Sequence, residues 1–400
     1  MDTCTITPPL PSIWIIILIA GLPQLSETVY SPSLPDMARA LQTSATLAEH
    51  TLTIYLFGFA LGVLFWGKCS DAWGRKPCMM AGLMIFILGC IGCYTSQTIE
   101  MLMMARFVQA FGGSIGSVLA QAMTRDAFHG PALGKVYASI GSALSIFPAL
   151  GPLCGGWIAE QWGWRSIFIV LMTVAAILVV LIHTRLPETH PKADRTKVSL
   201  WHVAKQLITD TKVLGYGLII SCCWGILFSY FSEGAFYLIR GLGLSPADYG
   251  LSFIPIGVAA MVGGMVSKTV QNRYSSKKIM ICGLLIVDLA LKGFAALAII
   301  AHLKGILPHH ILPIVSLTIA VFGMSLVTTH ALALALSDYK KSIGTASSLF
   351  GFFYYAMIGL LTCIMGFLHN GTLLPMPLYF FALSTLMLMI GFTLFRQKDQ

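Results

Sequence analysis

"GKCSDAWGRKP", residues 67–77, sets four charged side chains between an apolar run over 46–67 and another over 77–95. A hydrocarbon core of ~30 Å needs about 20 apolar residues per helix, and both runs have that length. The stretch therefore reads as a tight turn at a membrane surface joining two spanning helices. Gly67 and Gly74 allow close backbone approach or a positive φ, and Asp71 is placed to pair with Arg75, Lys76 or a nearby helix end.

The rest of the chain repeats this alternation. Of 400 residues, 56% are hydrophobic and only 10% are charged, more apolar surface than a soluble core can hide. Inside a bilayer every backbone polar group must be paired within the protein, and the unbroken runs select helices over a barrel, whose strands would alternate. The net charge of +9 does not point to nucleic acid, because Lys and Arg are scattered between apolar runs. Most of the ten cysteines, among them Cys90, Cys154, Cys222 and Cys282, lie inside apolar runs and read as small helix residues. Cys90 and Cys93 form a CxxC in mid-span, away from any βαβ pattern, and read the same way. The first run follows a stretch without Lys or Arg, shows no A-x-A site, and is expected to remain as a membrane helix.

Twelve spans are expected, at 12–34, 46–67, 77–95, 99–121, 135–159 and 164–184, then 213–239, 248–270, 278–302, 311–335, 343–367 and 374–395. They divide the chain into a six-helix half over 1–190, a cytoplasmic linker over 191–212 and a second six-helix half over 213–400. Lys and Arg gather in the loops after even-numbered spans and at the carboxyl end, while the opposite loops hold only Arg39, Arg165, Arg240 and Lys304. By the positive-inside rule both termini face the cytoplasm. The halves echo one another: "SETVY" at 26–30 returns as "SEGAFY" at 232–237, and "CMMAGLMI" at 78–85 as "IMICGLLI" at 279–286. A parallel 6+6 repeat is a common build of secondary transporters, with the substrate path between the halves.

Several motifs resemble the major facilitator superfamily. Gly67, Asp71, Gly74, Arg75 and Lys76 are similar to its G-x-x-x-D-x-x-G-R-K signature. "RFVQAFGGS" in span 4 places Arg106 and Gln109 at signature positions, with Ala110 where the family usually has Gly. "GPLCGGW" at 151–157, with Gly151, Pro152, Gly155 and Gly156, resembles the span-5 signature of drug/proton antiporters, though Phe147 replaces a Gly four residues earlier. "GWRSIF", "LPET", "GLSPADYG" and "GTASSLFG" are similar to the Bcr/CflA branch. The resemblance implies an all-α membrane protein with the major facilitator fold, a monomer moving small molecules and protons across the bacterial inner membrane. It also implies that Asp71 and Arg75 contact Asp126 at the inner end of span 4 and latch the outward-facing state. The span-5 seam is implied to seal the outer side. Pro152, which lacks a backbone donor, is expected to kink that span, and its glycines let a neighbouring helix pack closely.

Ionisable groups inside spans are the candidates for coupling. An acid at the centre of a membrane helix costs roughly 2.5–3.5 kcal/mol on insertion scales, so it is expected to be functional or neutralised. Glu27, Glu233 and Asp288 are such acids. A carboxyl group taken out of water exchanges protons nearer neutral pH, which suits a site that holds either a proton or a cationic ligand. A structural pair with Arg106 or Lys292 is the other reading. Glu27 stands one place before the position of the acid in Bcr/CflA-like chains, a rotation of about 100 degrees on a helix. Asp288 and Lys292, four residues apart, are expected to neutralise each other. Tyr30, Tyr55, Trp224, Phe228, Tyr230 and residues 352–355 are candidates to line a cavity.

The expected function is proton-coupled efflux of small amphipathic or cationic compounds by alternating access, with Glu27, Glu233 and Arg106 carrying the coupling. Export of one native metabolite is the alternative, and a channel or an intramembrane enzyme would belong to other classes. The spans contain no nucleophile paired with a base and no H-E-x-x-H, and the adjacent His309 and His310 lack further ligands. No metal and no cofactor is expected beyond the proton gradient as energy source.

Overall fold

The structure, a computed structural model, describes residues 10–128, 130–144, 146–189, 200–339 and 343–396. These residues hold sixteen α-helices and no strand. In the first half they are α1 (Ile13–Thr28), α2 (Leu34–Ala40), α3 (Ala45–Trp73), α4 (Arg75–Thr95), α5 (Ile99–Ala127), α6 (Gly130–Leu144), α7 (Phe147–Trp162) and α8 (Ser166–Arg185). After α9 (Leu200–Thr209) come α10 (Thr211–Ala235), α11 (Pro246–Leu251), α12 (Phe253–Val270), α13 (Ser276–Leu303), α14 (Ile311–Ala335), α15 (Ile343–Leu368) and α16 (Pro375–Arg396). Of the expected linker, 191–199 lies outside the described residues, and its remainder contains α9, packed on α10 and α15.

Eleven helical segments among the described residues are long and apolar enough to cross a membrane. The twelfth place belongs to α6 and α7, which correct the expectation of one span over 135–159. Helix α6 ends at Leu144 and α7 begins at Phe147, just ahead of Pro148, whereas Pro152 sits inside the continuous α7. Pro148 has no N–H for the carbonyl of Leu144 and stands in the first turn of α7, where a proline is tolerated, so the interruption falls upstream of the proline expected to kink the helix. The first span also differs. It is α-helical to Thr28, passes through a 3-10 turn at Ser31–Ser33 around Pro32, and resumes as α2. At the other repeat, α10 runs on through a π-turn at Phe236–Gly241.

Local chemistry fixes several helix starts. Ser44 Oγ accepts from Leu47 N at 3.2 Å, Thr98 Oγ1 from Met101 N at 3.3 Å, and Asp210 Oδ1 from Lys212 N at 2.9 Å. Between α3 and α4 the turn needs Gly74 at φ 104°, where a Cβ would be strained. Leu289, Met104 and Leu303 lie exposed on the outside of the bundle, as helices solvated by lipid require.

The halves meet on the face opposite Gly74, called here the distal face. Ser31 donates to the Phe231 carbonyl and lies 3.1 Å from Tyr249 Oη. Arg240 Nη2 donates to the Pro35 carbonyl at 3.0 Å, and Ala247 N to Glu160 Oε2 at 3.2 Å. Helix α7 backs onto α11, and α3 packs on α15. The distal face is therefore closed.

Candidate functional site

Arg106 on α5 has no exposed surface, and its surroundings explain how a permanent cation is held there. The guanidinium lies between two rings, 4.0 Å from the centroid of Tyr30 and 4.1 Å from that of Tyr55. Its Nη1 donates to Gln109 Oε1 at 2.5 Å, one turn along the same helix. Gln109 Nε2 is anchored on Cys90 Sγ at 3.1 Å, so the mid-span cysteine supports the signature residues. Cation–π contact is worth about 2 kcal/mol or more when desolvated, which offsets part of the cost of burial.

Glu27 is 5% exposed, and its Oε1 has no hydrogen-bond partner. It lies within electrostatic reach of Arg106, Tyr55, Tyr354 and Tyr355 but forms no ion pair with Arg106. The last two tyrosines belong to α15, so Glu27 looks across to the second half.

Glu233, the counterpart of Glu27 in the repeat, sits in a different group. Its Oε2 is 2.8 Å from His369 Nδ1, and the same nitrogen is 3.6 Å from Oε1 of Glu49 on α3. Glu49 is fully buried. Neither Glu49 nor His369 stood out in the sequence. Glu49 lies within the second apolar run, where a search for acids in spans would have found it, but His369 lies after the end of a span and has no local signal.

A cavity of about 330 Å³ lies between the halves, lined from the first half by Gln24, Leu144, Pro148 and Ala149 and from the second by residues of α10, α12 and α14. Trp224, Phe231 and Phe253 supply its aromatic surface, and Gln24, Ser325, Thr328 and Thr329 its polar groups. Of the expected aromatic lining only Trp224 is present, and Tyr30 and Tyr55 instead clamp Arg106. No charged side chain lines the cavity. Gln24 Oε1 is buried without a partner one turn before Glu27.

The span-5 glycines mark close backbone crossings above this cavity. A Cβ at Gly155 would run into the Val29 carbonyl, and one at Gly156 into the Pro246 carbonyl of the other half. Gly151 abuts Thr28 in the same way, and Gly250 approaches the Pro152 carbonyl. The motif thus packs α7 against α1 and α11 together.

On the Gly74 face, Arg75 bridges three elements. Its Nε donates to Asp126 Oδ2 at 2.9 Å, and its Nη1 to Asp71 Oδ1 at 2.6 Å and to Ser70 Oγ at 2.7 Å. Glu188, part of "LPET", accepts from the backbone N–H of Arg75 at 2.9 Å and of Lys76 at 3.2 Å, capping α4, while Lys76 Nζ donates to the His183 carbonyl at 2.9 Å. Gly67 faces Ser348 of α15. All the bridging groups belong to the first half, and the bridges are complete while the distal face is closed. The contacts of Arg75 with Asp71 and Asp126 that the resemblance implies are thus formed in this state. Asp288 and Lys292 form the expected pair at 2.7 Å, with Ser384 donating to Asp288 at 3.2 Å.

Two helical halves with an apolar cavity and buried charges between them define a multi-pass membrane transporter, not an enzyme. The chain belongs to the Major Facilitator Superfamily, which residues 16–362 match. It is 35% identical to an uncharacterized transporter of Rickettsia felis over 93% of each chain. It is 28% identical to a bicyclomycin resistance protein homolog of Haemophilus influenzae, over 91% of this chain and 92% of that one. Relatives of this kind, with multidrug resistance proteins among them, place it in the drug/proton antiporter group. Its fold matches the xylose transporter XylE from E. coli with a TM-score of 0.74 over 97% and 98% of the two chains at 14% identity.

Proposed function

We propose that this protein exports small amphipathic compounds across the bacterial inner membrane in exchange for protons, with both termini in the cytoplasm. Glu27 carries the reading. It is a buried carboxyl group with an unpartnered oxygen, beside a clamped arginine and facing the opposite half. Neutralising or baring its charge changes the free energy of that interface, and the two faces of the membrane supply protons at different activity. The cycle turns only if proton and ligand each favour a different state, since equal binding to both shifts nothing. The cavity falls in the range of about 300–1,000 Å³ typical of small-molecule pockets, and its apolar walls with a few polar groups suit amphipathic ligands.

Resistance relatives favour drugs, while the similarity to transporters without an assigned substrate keeps export of a native metabolite as the second reading. Expression in a pump-deficient strain, with a toxicity panel and profiling of secreted metabolites, separates the two. Glu27→Gln is expected to insert normally and to lose uphill efflux driven by an imposed pH gradient. Full proton-driven transport by that variant would remove Glu27 from the mechanism.

A further inference from the structure

Glu49 of α3 in the first half meets Glu233 of α10 and His369, just after α15, from the second half where the distal face closes. Their ligand-type atoms all lie within 4.8 Å of one another. Around an ion with bonds of ~2.0–2.1 Å, tetrahedral ligand atoms stand about 3.3–3.4 Å apart. The separations from His369 Nδ1, 2.8 Å to Glu233 and 3.6 Å to Glu49, bracket that value.

Glu49 supplies an independent observation. It has no exposed surface, its Oε1 points at His369, and neither oxygen makes a hydrogen bond of normal geometry, although Ser232 and Glu233 are its polar neighbours. A carboxylate in this position needs positive charge. His369 offers at most one charge for two carboxylates. Arg106 is held by Gln109 and two rings, Arg240 by the Pro35 carbonyl, and Arg39 by Asp36. His50, next to Glu49, packs edge-on against Phe367 at 4.7 Å. A divalent cation balances both carboxylates at once.

We propose that Glu49, Glu233 and His369 form a binding site for a divalent transition-metal ion of the Zn²⁺ class, which bridges the two halves and holds the distal face closed. One imidazole nitrogen with two carboxylate oxygens suits Zn²⁺ better than Mg²⁺, which requires an octahedral oxygen shell and dehydrates reluctantly. Opening the distal face carries Glu49 away from the other two ligands, so the bound ion arrests the transport cycle.

The test uses the full chain in nanodiscs, titrated with Zn²⁺ or Mg²⁺ by calorimetry, on a C4S/C154S/C282S background that removes the two exposed thiols among the described residues and Cys4, which lies outside them. One Zn²⁺ per chain is expected, with little response to Mg²⁺. E49Q, E233Q and H369A should each weaken binding about tenfold or more, as loss even of groups that only orient a ligand does. H309A/H310A should bind as the parent does. Hydrogen exchange supplies a second readout: Zn²⁺ should slow exchange over 45–50 and 366–372 together in the parent and not in H369A. Equal Zn²⁺ binding by the parent and all three variants would overturn the proposal. So would a parent that binds no Zn²⁺ and whose exchange at these segments follows pH alone, which would assign the cluster to protons.

Discussion

Arg106 shows how a single side chain is made tolerable inside the bundle, with two aromatic faces and one amide replacing water. A lysine keeps the charge but loses the planar guanidinium that fits between Tyr30 and Tyr55. Arg106→Lys is therefore expected to insert at normal levels while transport slows roughly tenfold or more, the consequence of losing about 1.4 kcal/mol of stabilisation in the working state. Initial efflux rates in proteoliposomes, for whichever compound the toxicity panel identifies, provide the check, and a variant as fast as the parent would make the clamp merely structural. Arg106 and Glu27 were legible in the sequence because an ionisable residue in an apolar run is conspicuous. Glu49 obeys the same rule, as an acid within the second apolar run, but it lies near the start of the span, a few residues after the Ser44 cap, and is less conspicuous. What makes it notable is the lack of a hydrogen-bond partner, a property of its three-dimensional surroundings.

At the scale of elements, span length and turn chemistry predicted most helices, and the departures follow from prolines. Pro148 splits the fifth span, and Pro32 turns the end of the first. Another feature was only half legible: "LPET" was visible as a motif, but not that Glu188 caps α4 across more than a hundred residues of chain. Removing this carboxylate in Glu188→Ala should lower stability by about 1 kcal/mol, within the range for lost helix caps, and Glu188→Gln by less. Melting temperatures in detergent would show the order parent, Gln, Ala; an unchanged midpoint for Ala would mean that water caps α4 equally well.

For the whole molecule the decisive contact is the distal seam, where α7 backs onto α11 through Gly156 and Gly250. A side chain at Gly156 meets the backbone of Pro246 and has no flexible neighbour to displace. Gly156→Leu is expected to shift the population away from the distal-closed state, since bulk at the seam penalises only that state. Ser232, buried beside Glu49, reports this. With the other cysteines replaced, Ser232→Cys should label with maleimide several-fold faster in the leucine variant, and equal rates would show that the seam does not set the equilibrium.

The amino-acid sequence by itself determined the membrane class, the twelve apolar stretches, the doubled plan and the charged turn at Gly74. Each follows from local properties: run length against bilayer thickness, backbone pairing in lipid, and glycine where φ is positive. Tertiary structure alone decided which charges far apart in sequence meet, whereas the pair Asp288–Lys292 was legible in its spacing. Glu27 and Glu233 hold related places in the repeat, and side-chain direction on packed helices sends Glu27 toward Arg106 and the α15 tyrosines, and Glu233 toward Glu49 and His369. Partners so distant in sequence are chosen by how the two halves close, which local periodicity does not encode.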